Sequence, residues 1–210
     1  GTSFAEDVVL NKQLTLRSSL SPLPVVKSIS ITVPGVVVQG IKIQNNAGHG
    51  VTFAVDGAGA TFTGCDISDN TGNGININAA TITLVCNGCA IFNNAGNYGI
   101  MLEAGTAPRR GPNVSLNSCN LGGNLRSINF VGNSTADGYN ADPVVTITGC
   151  TFYGKLNDTS SNSRMINITD IDRVTCTITN SLFSEIQGGI SNLNFGCIYM
   201  ILRGGDHNIL

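Results

Sequence analysis

Two groups of side chains could do chemistry together: Glu103, Arg109 and Arg110 in segment 103–113, and Asp137, Tyr139 and Asp142 in segment 131–143. An arginine beside carboxylates can take a proton from carbon while carboxylate-bound Ca²⁺ stabilises the charge left behind. If the chain is an enzyme, Glu103, Arg109, Arg110, Asp137 and Asp142 are its catalytic candidates. Tyr139, Arg109 and Arg110 are also the groups best suited to hold a glycan. Charged residues on long polar loops read equally as a solvated surface, and no complete acid–base constellation accompanies these.

Seven cysteines raise a second possibility, metal or redox chemistry. Cys86-x-x-Cys89 has metal-pair spacing, but no second pair joins it, so neither metal nor cofactor is expected. Four of the seven, Cys65, Cys89, Cys119 and Cys150, recur at one position of a repeat, which reads as a buried structural column.

That repeat must position everything else. Gly40-Ile41-Lys42-Ile43-Gln44-Asn45-Asn46-Ala47-Gly48-His49-Gly50-Val51 returns 24 residues later as Gly64-Cys65-Asp66-Ile67-Ser68-Asp69-Asn70-Thr71-Gly72-Asn73-Gly74-Ile75. A third copy starts at Gly88, and later copies start at Ser118, Gly149 and Asn180, spaced 30, 31 and 31. Apolar and polar residues alternate in short runs bounded by Gly and Asn, which predicts strands, and no helical period is sustained. Columns such as Ile43, Ile67, Ile91, Leu121, Phe152 and Phe183 stay apolar through every copy. Stacked columns on a turn of about 24 residues predict an all-β fold, a single parallel β-helix over residues 1–210 with loop insertions at 103–113, 131–143 and 154–164. The insertions 103–113 and 131–143 follow the same strand in consecutive turns, so both are expected on one edge.

Asn46, Asn70, Asn94 and Asn124 form a second recurring position, expected to stack as an amide ladder in one turn. The stacked cysteines lie about one strand spacing apart, slightly long for a relaxed disulfide, so free thiols are expected.

The opening Phe4-Ala5-Glu6-Asp7-Val8-Val9-Leu10-Asn11-Lys12-Gln13-Leu14-Thr15-Leu16 and the Asn-x-Gly-Asn-Gly-Ile turn resemble the right-handed β-helix repeat proteins of the pectate-lyase-like superfamily. The resemblance implies the right-handed form of the solenoid. It implies no single activity, because that superfamily holds lyases, hydrolases, tailspikes and adhesins. Gly48-His49-Gly50 resembles an element of polygalacturonase-like hydrolases. The Asn-Thr-Asp, Asp-Asp and Arg-Ile-Lys elements that would supply the two carboxylates of inverting hydrolysis have no counterpart here. Asn73 and Asn97 take the position of His49 in the next copies, so His49 is read as a turn residue.

Composition narrows the function further. With 26 Gly, no Trp, 11% charged residues and a formal net charge of −2, the chain has a large core, many turns and an uncharged polar surface. Nothing in that balance favours a nucleic-acid partner, and no run approaches the apolar length needed for membrane insertion. The positions before the cysteine column carry Thr61/Thr63, Thr146/Thr148 and Thr177/Thr179, an outward Thr-x-Thr face that could order water and bind ice, a lesser alternative. Asn113, Asn133 and Asn157 stand in loop sequons open to glycosylation, and Asn167 stands in a strand sequon. Strand-like sequence at one end and the apolar run 196–202 at the other predict uncapped solenoid ends, covered by self-association or by the remainder of a longer chain. The expectation is therefore a non-catalytic structural or adhesive module of an extracellular, cell-surface or viral fibre, with a uronate-directed polysaccharide lyase or hydrolase as the alternative.

Overall fold

The computed structural model describes residues 3–45, 47–79, 81–96, 98–103, 111–131, 143–154, 164–171, 174–184, 196–202 and 208–209. Every regular element among them is a strand. The chain opens with β1 (Ser3–Leu10), β2 (Thr15–Arg17) and β3 (Val25–Ile31), then falls into a three-strand cycle. The first two cycles are β4 (Val36–Gln39), β5 (Lys42–Ile43), β6 (Val51–Phe53) and β7 (Gly59–Thr63), β8 (Asp66–Ser68), β9 (Ile75–Ile77). Next come β10 (Thr83–Asn87), β11 (Ala90–Phe92), β12 (Tyr98–Glu103) and β13 (Asn113–Asn117), β14 (Asn120–Gly122), β15 (Arg126–Val131). The last are β16 (Val144–Thr148), β17 (Thr151–Tyr153), β18 (Arg164–Ile171), then β19 (Thr175–Thr179), β20 (Leu182–Ser184), β21 (Gly196–Leu202), and β22 (Asn208–Ile209).

Each strand pairs with its counterpart in the neighbouring cycle, and the pairings are parallel throughout. First strands build an 8-stranded sheet, β2-β4-β7-β10-β13-β16-β19-β22. Second and third strands build the two arms of a 14-stranded sheet that meet at β3, whose Val25–Val26 half pairs β5 and whose Ile29–Ile31 half pairs β6. An all-β stack of parallel repeats in two sheets is compatible with a β-solenoid.

Register explains the core. In the 8-stranded sheet Val36, Ala60, Leu84, Val114, Val145 and Cys176 are direct partners in successive strands, and all are buried. The 14-stranded sheet supplies Ile43, Ile67, Ile91, Leu121 and Phe152 from one arm and Val51, Ile75, Ile100, Ile128 and Ile166 from the other. Each Val, Leu, Ile or Phe in these columns contributes about 1.5–3 kcal/mol when fully buried, so a register slip of one residue, which would turn a whole strand's apolar set outward, is strongly disfavoured. Phe152 and Phe183 extend the column as rings stacked 4.8 Å apart.

Between the first and second strands the chain turns a corner on one left-handed residue. Gly40, Gly64, Gly88 and Gly149 take it with φ of 62°, 58°, 59° and 62°, and Ser118 and Asn180 take it with φ of 52° and 50°. A Cβ at Gly64 or Gly88 would meet nothing within 4 Å, so backbone strain alone selects glycine there.

Candidate functional site

Three sets of polar side chains run from repeat to repeat. The first is the amide ladder in the turn after the second strand. Asn94 Oδ1 accepts both the backbone N–H of Asn70 (3.3 Å) and its Nδ2–H (2.8 Å), and Asn124 Oδ1 accepts the same two groups of Asn94 (2.8 and 3.2 Å). The other amide hydrogen of each rung goes to a core-strand carbonyl: Asn70 to Ile43 (3.3 Å), Asn94 to Ile67 (3.3 Å) and Asn124 to Ile91 (3.2 Å). At the first rung Asn70 Oδ1 accepts the backbone N–H of Asn45 (2.6 Å), and Asn46 lies outside the described residues.

Later repeats carry a left-handed residue just before the rung: Asp69, Asn93 and Gly123, with φ of 56°, 54° and 64°. Asn45 follows Ile43 by two positions, whereas Asn70 follows Ile67 by three. The rung therefore has ordinary backbone geometry, and its neighbour carries the strain. Glycine beside the ladder has a separate cause. A Cβ at Gly50 or Gly74 would come within 2.8 Å of the Nδ2 of Asn70 or Asn94.

The second set is the cysteine column at the corner. All four thiols are buried and free. Cys119 Sγ donates to the carbonyls of Cys86 (3.3 Å) and Asn117 (3.4 Å), and Cys150 Sγ donates to those of Leu116 (3.4 Å) and Thr148 (3.5 Å). Cys150 Sγ also accepts the backbone N–H of Cys119 at 3.4 Å. Ser181 does the same work with oxygen, accepting from Cys150 N (3.1 Å) and donating to Thr179 O (2.9 Å). The corner thus uses a small side chain with one donor and one acceptor. The hydrogen bond with Cys89 draws Cys65 down to about 7. Cys119 is pushed up to about 11, because its bond to Cys150 lowers it less than Cys89 and burial raise it. Burial alone holds Cys176, in the neighbouring column, at about 11.

The third set lies on the outward rows of the third strands. Register places His49, Asn73, Tyr98, Arg126 and Arg164 in one row, one per repeat, and Thr52, Asn76, Met101, Asn129 and Asn167 in the row three residues on. Outward positions on an open sheet would be exposed, yet Asn76, Met101, Asn129, Asn167 and Arg164 are all buried. The rows are cross-linked. Asn73 Nδ2 donates to Asn76 Oδ1 (3.0 Å), Arg126 Nη1 to Asn129 Oδ1 (2.7 Å) and Arg164 Nη1 to Asn167 Oδ1 (2.7 Å). Asn167 Nδ2 then donates to Asn129 Oδ1 at 2.8 Å, tying the two arginine repeats together. Tyr98 lies beneath the Arg126 guanidinium at 5.6 Å from the ring centroid. Burial holds Arg126 below its ordinary range, the Tyr98 hydroxyl pulls the other way, and the positive charge of Arg164 adds to the lowering. His49 Nδ1 accepts the backbone N–H of Asn73 at 2.9 Å.

This row was not anticipated from sequence. Its signal was present as Arg126-Ser127-Ile128-Asn129 and Arg164-Met165-Ile166-Asn167, an Arg-x-Ile-Asn element repeated 38 residues apart and hidden by the intervening insertion. Of the residues singled out for catalysis or glycan contact, Glu103 ends β12 in register with Val131. Its side chain and the whole of Arg109, Arg110, Asp137, Tyr139 and Asp142 lie outside the described residues, as do Asn133 and Asn157. Asn113 is the exposed first residue of β13 and Asn167 is buried. Lys42 stands 4.0 Å from Asp66 and closer, at 3.2 Å, to Asp69. On the 8-stranded sheet the outward polar groups bond to each other in part: Thr179 Oγ1 donates to Thr148 Oγ1 (3.2 Å) and Asn117 Nδ2 to Asn87 Oδ1 (2.9 Å). No helix among the described residues is long and apolar enough to cross a membrane. Comparison of the chain with family models, curated proteins and solved structures finds no match.

Proposed function

We propose that this chain is a non-catalytic structural or adhesive module, a single domain built as a right-handed parallel β-helix for an extracellular, cell-surface or viral fibre. Handedness is supported by the connections. Strands such as β4 and β7 are parallel neighbours in one sheet joined by a crossover, an arrangement right-handed in about 98% of cases. The observation that carries the structural role is the amide ladder. Three successive buried asparagines spend their side-chain bonds on adjacent repeats, so polar capacity serves cohesion along the axis.

Self-association is the partner that fits. Among the described residues β1, β20 and β21 each pair on one side only, and they carry exposed Phe4 and Val9, Leu182, and Ile198. Strand edges with apolar side chains are templates for further strands. Electron microscopy of the purified protein over a range of concentrations tests this reading. Rods joined end to end, with a repeat of about 35–40 Å from eight strand layers at about 4.8 Å, are expected. Isolated short rods at every concentration would sink the fibre reading.

A further inference from the structure

We propose that copies of the protein join head to tail, with Phe4 in β1 of one copy seated on Phe183 in β20 of the next. Self-association itself rests on the fibre reading above; the polarity and the contact rest on register.

One inward column runs through the whole 14-stranded sheet. Phe4 partners Val26, Val26 partners Ile43, and from Ile43 the buried column already described continues in direct register to Phe152 and Phe183. Partners in parallel strands face the same side of a sheet, so Phe4 and Phe183 are the first and last members of one column. The members between them are buried, whereas Phe4 is 49% exposed and Phe183 half-buried. Phe183 stacks one ring face on Phe152, with centroids 4.8 Å and planes 8° apart, and turns the other face along the axis, away from Phe152. That spacing is one strand layer, so a ring carried by a further layer would stack in the same way. The other arm repeats the arrangement: its inward column runs from Val8 through Ile29 and Val51 to Ile166 and Ile198, the last of them exposed.

The two edges are complementary rather than alike. One presents Phe4 and Val8 on a single strand, and the other presents Phe183 and Ile198 on the separate strands β20 and β21. One continuous strand serving two separate ones already occurs at β3, which pairs β5 through Val25–Val26 and β6 through Ile29–Ile31. β1 of a second copy, laid over β20 and β21 through the edge that β3 leaves free, remakes that junction, keeps every pairing parallel and continues both columns. Joining two β1 edges about a twofold axis would set those strands antiparallel, leave Phe183 uncovered and stop at a dimer, whereas a head-to-tail contact is heterologous and grows. Asp7, between the two apolar anchors of β1, is held by Lys27 (2.7 Å) and Ser28 of its own chain, which keeps its charge off the seat.

The test compares wild type, Phe4→Asp, Phe183→Asp and an equimolar mixture of the two variants by sedimentation velocity and electron microscopy over a range of concentrations, with circular dichroism to check each fold. Wild type is expected to form chains that lengthen with concentration. Each variant alone should associate at least tenfold more weakly, because a carboxylate buried on either side spoils the seat. The mixture should give dimers and stop there, since it offers one intact Phe183 edge to one intact Phe4 edge. A second readout serves if Phe183→Asp folds poorly. Ser3 and Leu182 are the exposed first and last members of the outward row beside this column, so a Ser3→Cys/Leu182→Cys variant treated with a short bismaleimide should yield a ladder of covalent oligomers absent from wild type treated alike. Chains in wild type with both variants within twofold of it, or without the ladder, overturn the Phe4–Phe183 joint while the fibre reading stands. Dimers in one variant alone overturn the polarity. Wild type that stays monomeric at every concentration overturns the fibre reading and the joint with it.

Discussion

Replacing Asn94 by alanine should destabilise the protein by about 2–5 kcal/mol. Asn94 is 2% exposed, and its side chain serves three groups: it accepts from the backbone N–H and the Nδ2 of Asn70 and donates to the Ile67 carbonyl, besides its bond to Asn124. Alanine leaves the Asn70 N–H and one hydrogen of its amide buried without an acceptor. Each orphaned buried group costs about 1–3 kcal/mol, and a domain has only about 5–15 kcal/mol in total. Equilibrium denaturation in guanidinium chloride, with midpoint and slope compared to wild type, reads the loss. Asn120→Ala, on the exposed outer face of β14, is the control and should stay within about 0.5 kcal/mol. Asn94→Asp separates shape from hydrogen bonding. It keeps an acceptor for Asn70 but turns a second oxygen toward Asn124 Oδ1 and the Ile67 carbonyl, so it should be destabilising at neutral pH. Burial raises the carboxyl of such an aspartate, so the penalty should shrink as pH falls and the group protonates. A loss below about 1 kcal/mol in Asn94→Ala would refute the ladder as a net source of cohesion.

Ser118→Gly should stabilise the fold by up to about 1 kcal/mol in the same assay, because serine at φ 52° takes a corner that glycine fills elsewhere without strain. At the thiol corner, Cys119→Ser should retain more stability than Cys119→Ala although alanine is the more apolar replacement, since a hydroxyl can still donate to the Cys86 and Asn117 carbonyls; the reverse order of melting temperatures would refute the capping role. Stability should also fall on the alkaline side. Cys119 and Cys176 sit at about 11 when folded against 9.0 when exposed, so each stays protonated while the unfolded chain releases a proton. The loss begins near pH 9 and reaches roughly 2–3 kcal/mol per thiol by pH 11, and a melting temperature as flat in Cys176→Ala as in wild type over that interval would contradict it.

The phase of the repeat and the identity of the core columns were legible because alternation at period two leaves each apolar residue only one face to occupy. Ile43, Ile67, Ile91, Leu121 and Phe152 fall into direct register although insertions separate the later members. Two details were not legible. The left-handed residue just before the rung, at Asp69 and Asn93, was hidden because in sequence both neighbours of that turn are polar. The Arg-x-Ile-Asn row was obscured because outward positions on a strand carry no periodic constraint of their own. Only the observed burial of Asn129 and Asn167 shows that this outer face is covered. The thiol column was legible as buried, but its donation to strand-end carbonyls depends on corner geometry that composition does not encode.

Register survives changes of spacing. β10 pairs with β13 over five consecutive residues, and β13 with β16 over five more, although these strands are 30 and 31 positions apart where earlier repeats need 24. Sequence length between strands is therefore decoupled from position within them: inserted residues leave the phase of the next layer untouched, while losing one residue inside a strand would invert it. Variation can accumulate at the joints as whole new segments at almost no cost to the frame. For heredity, this molecule is a ruler with fixed graduations and freely extensible text between the marks.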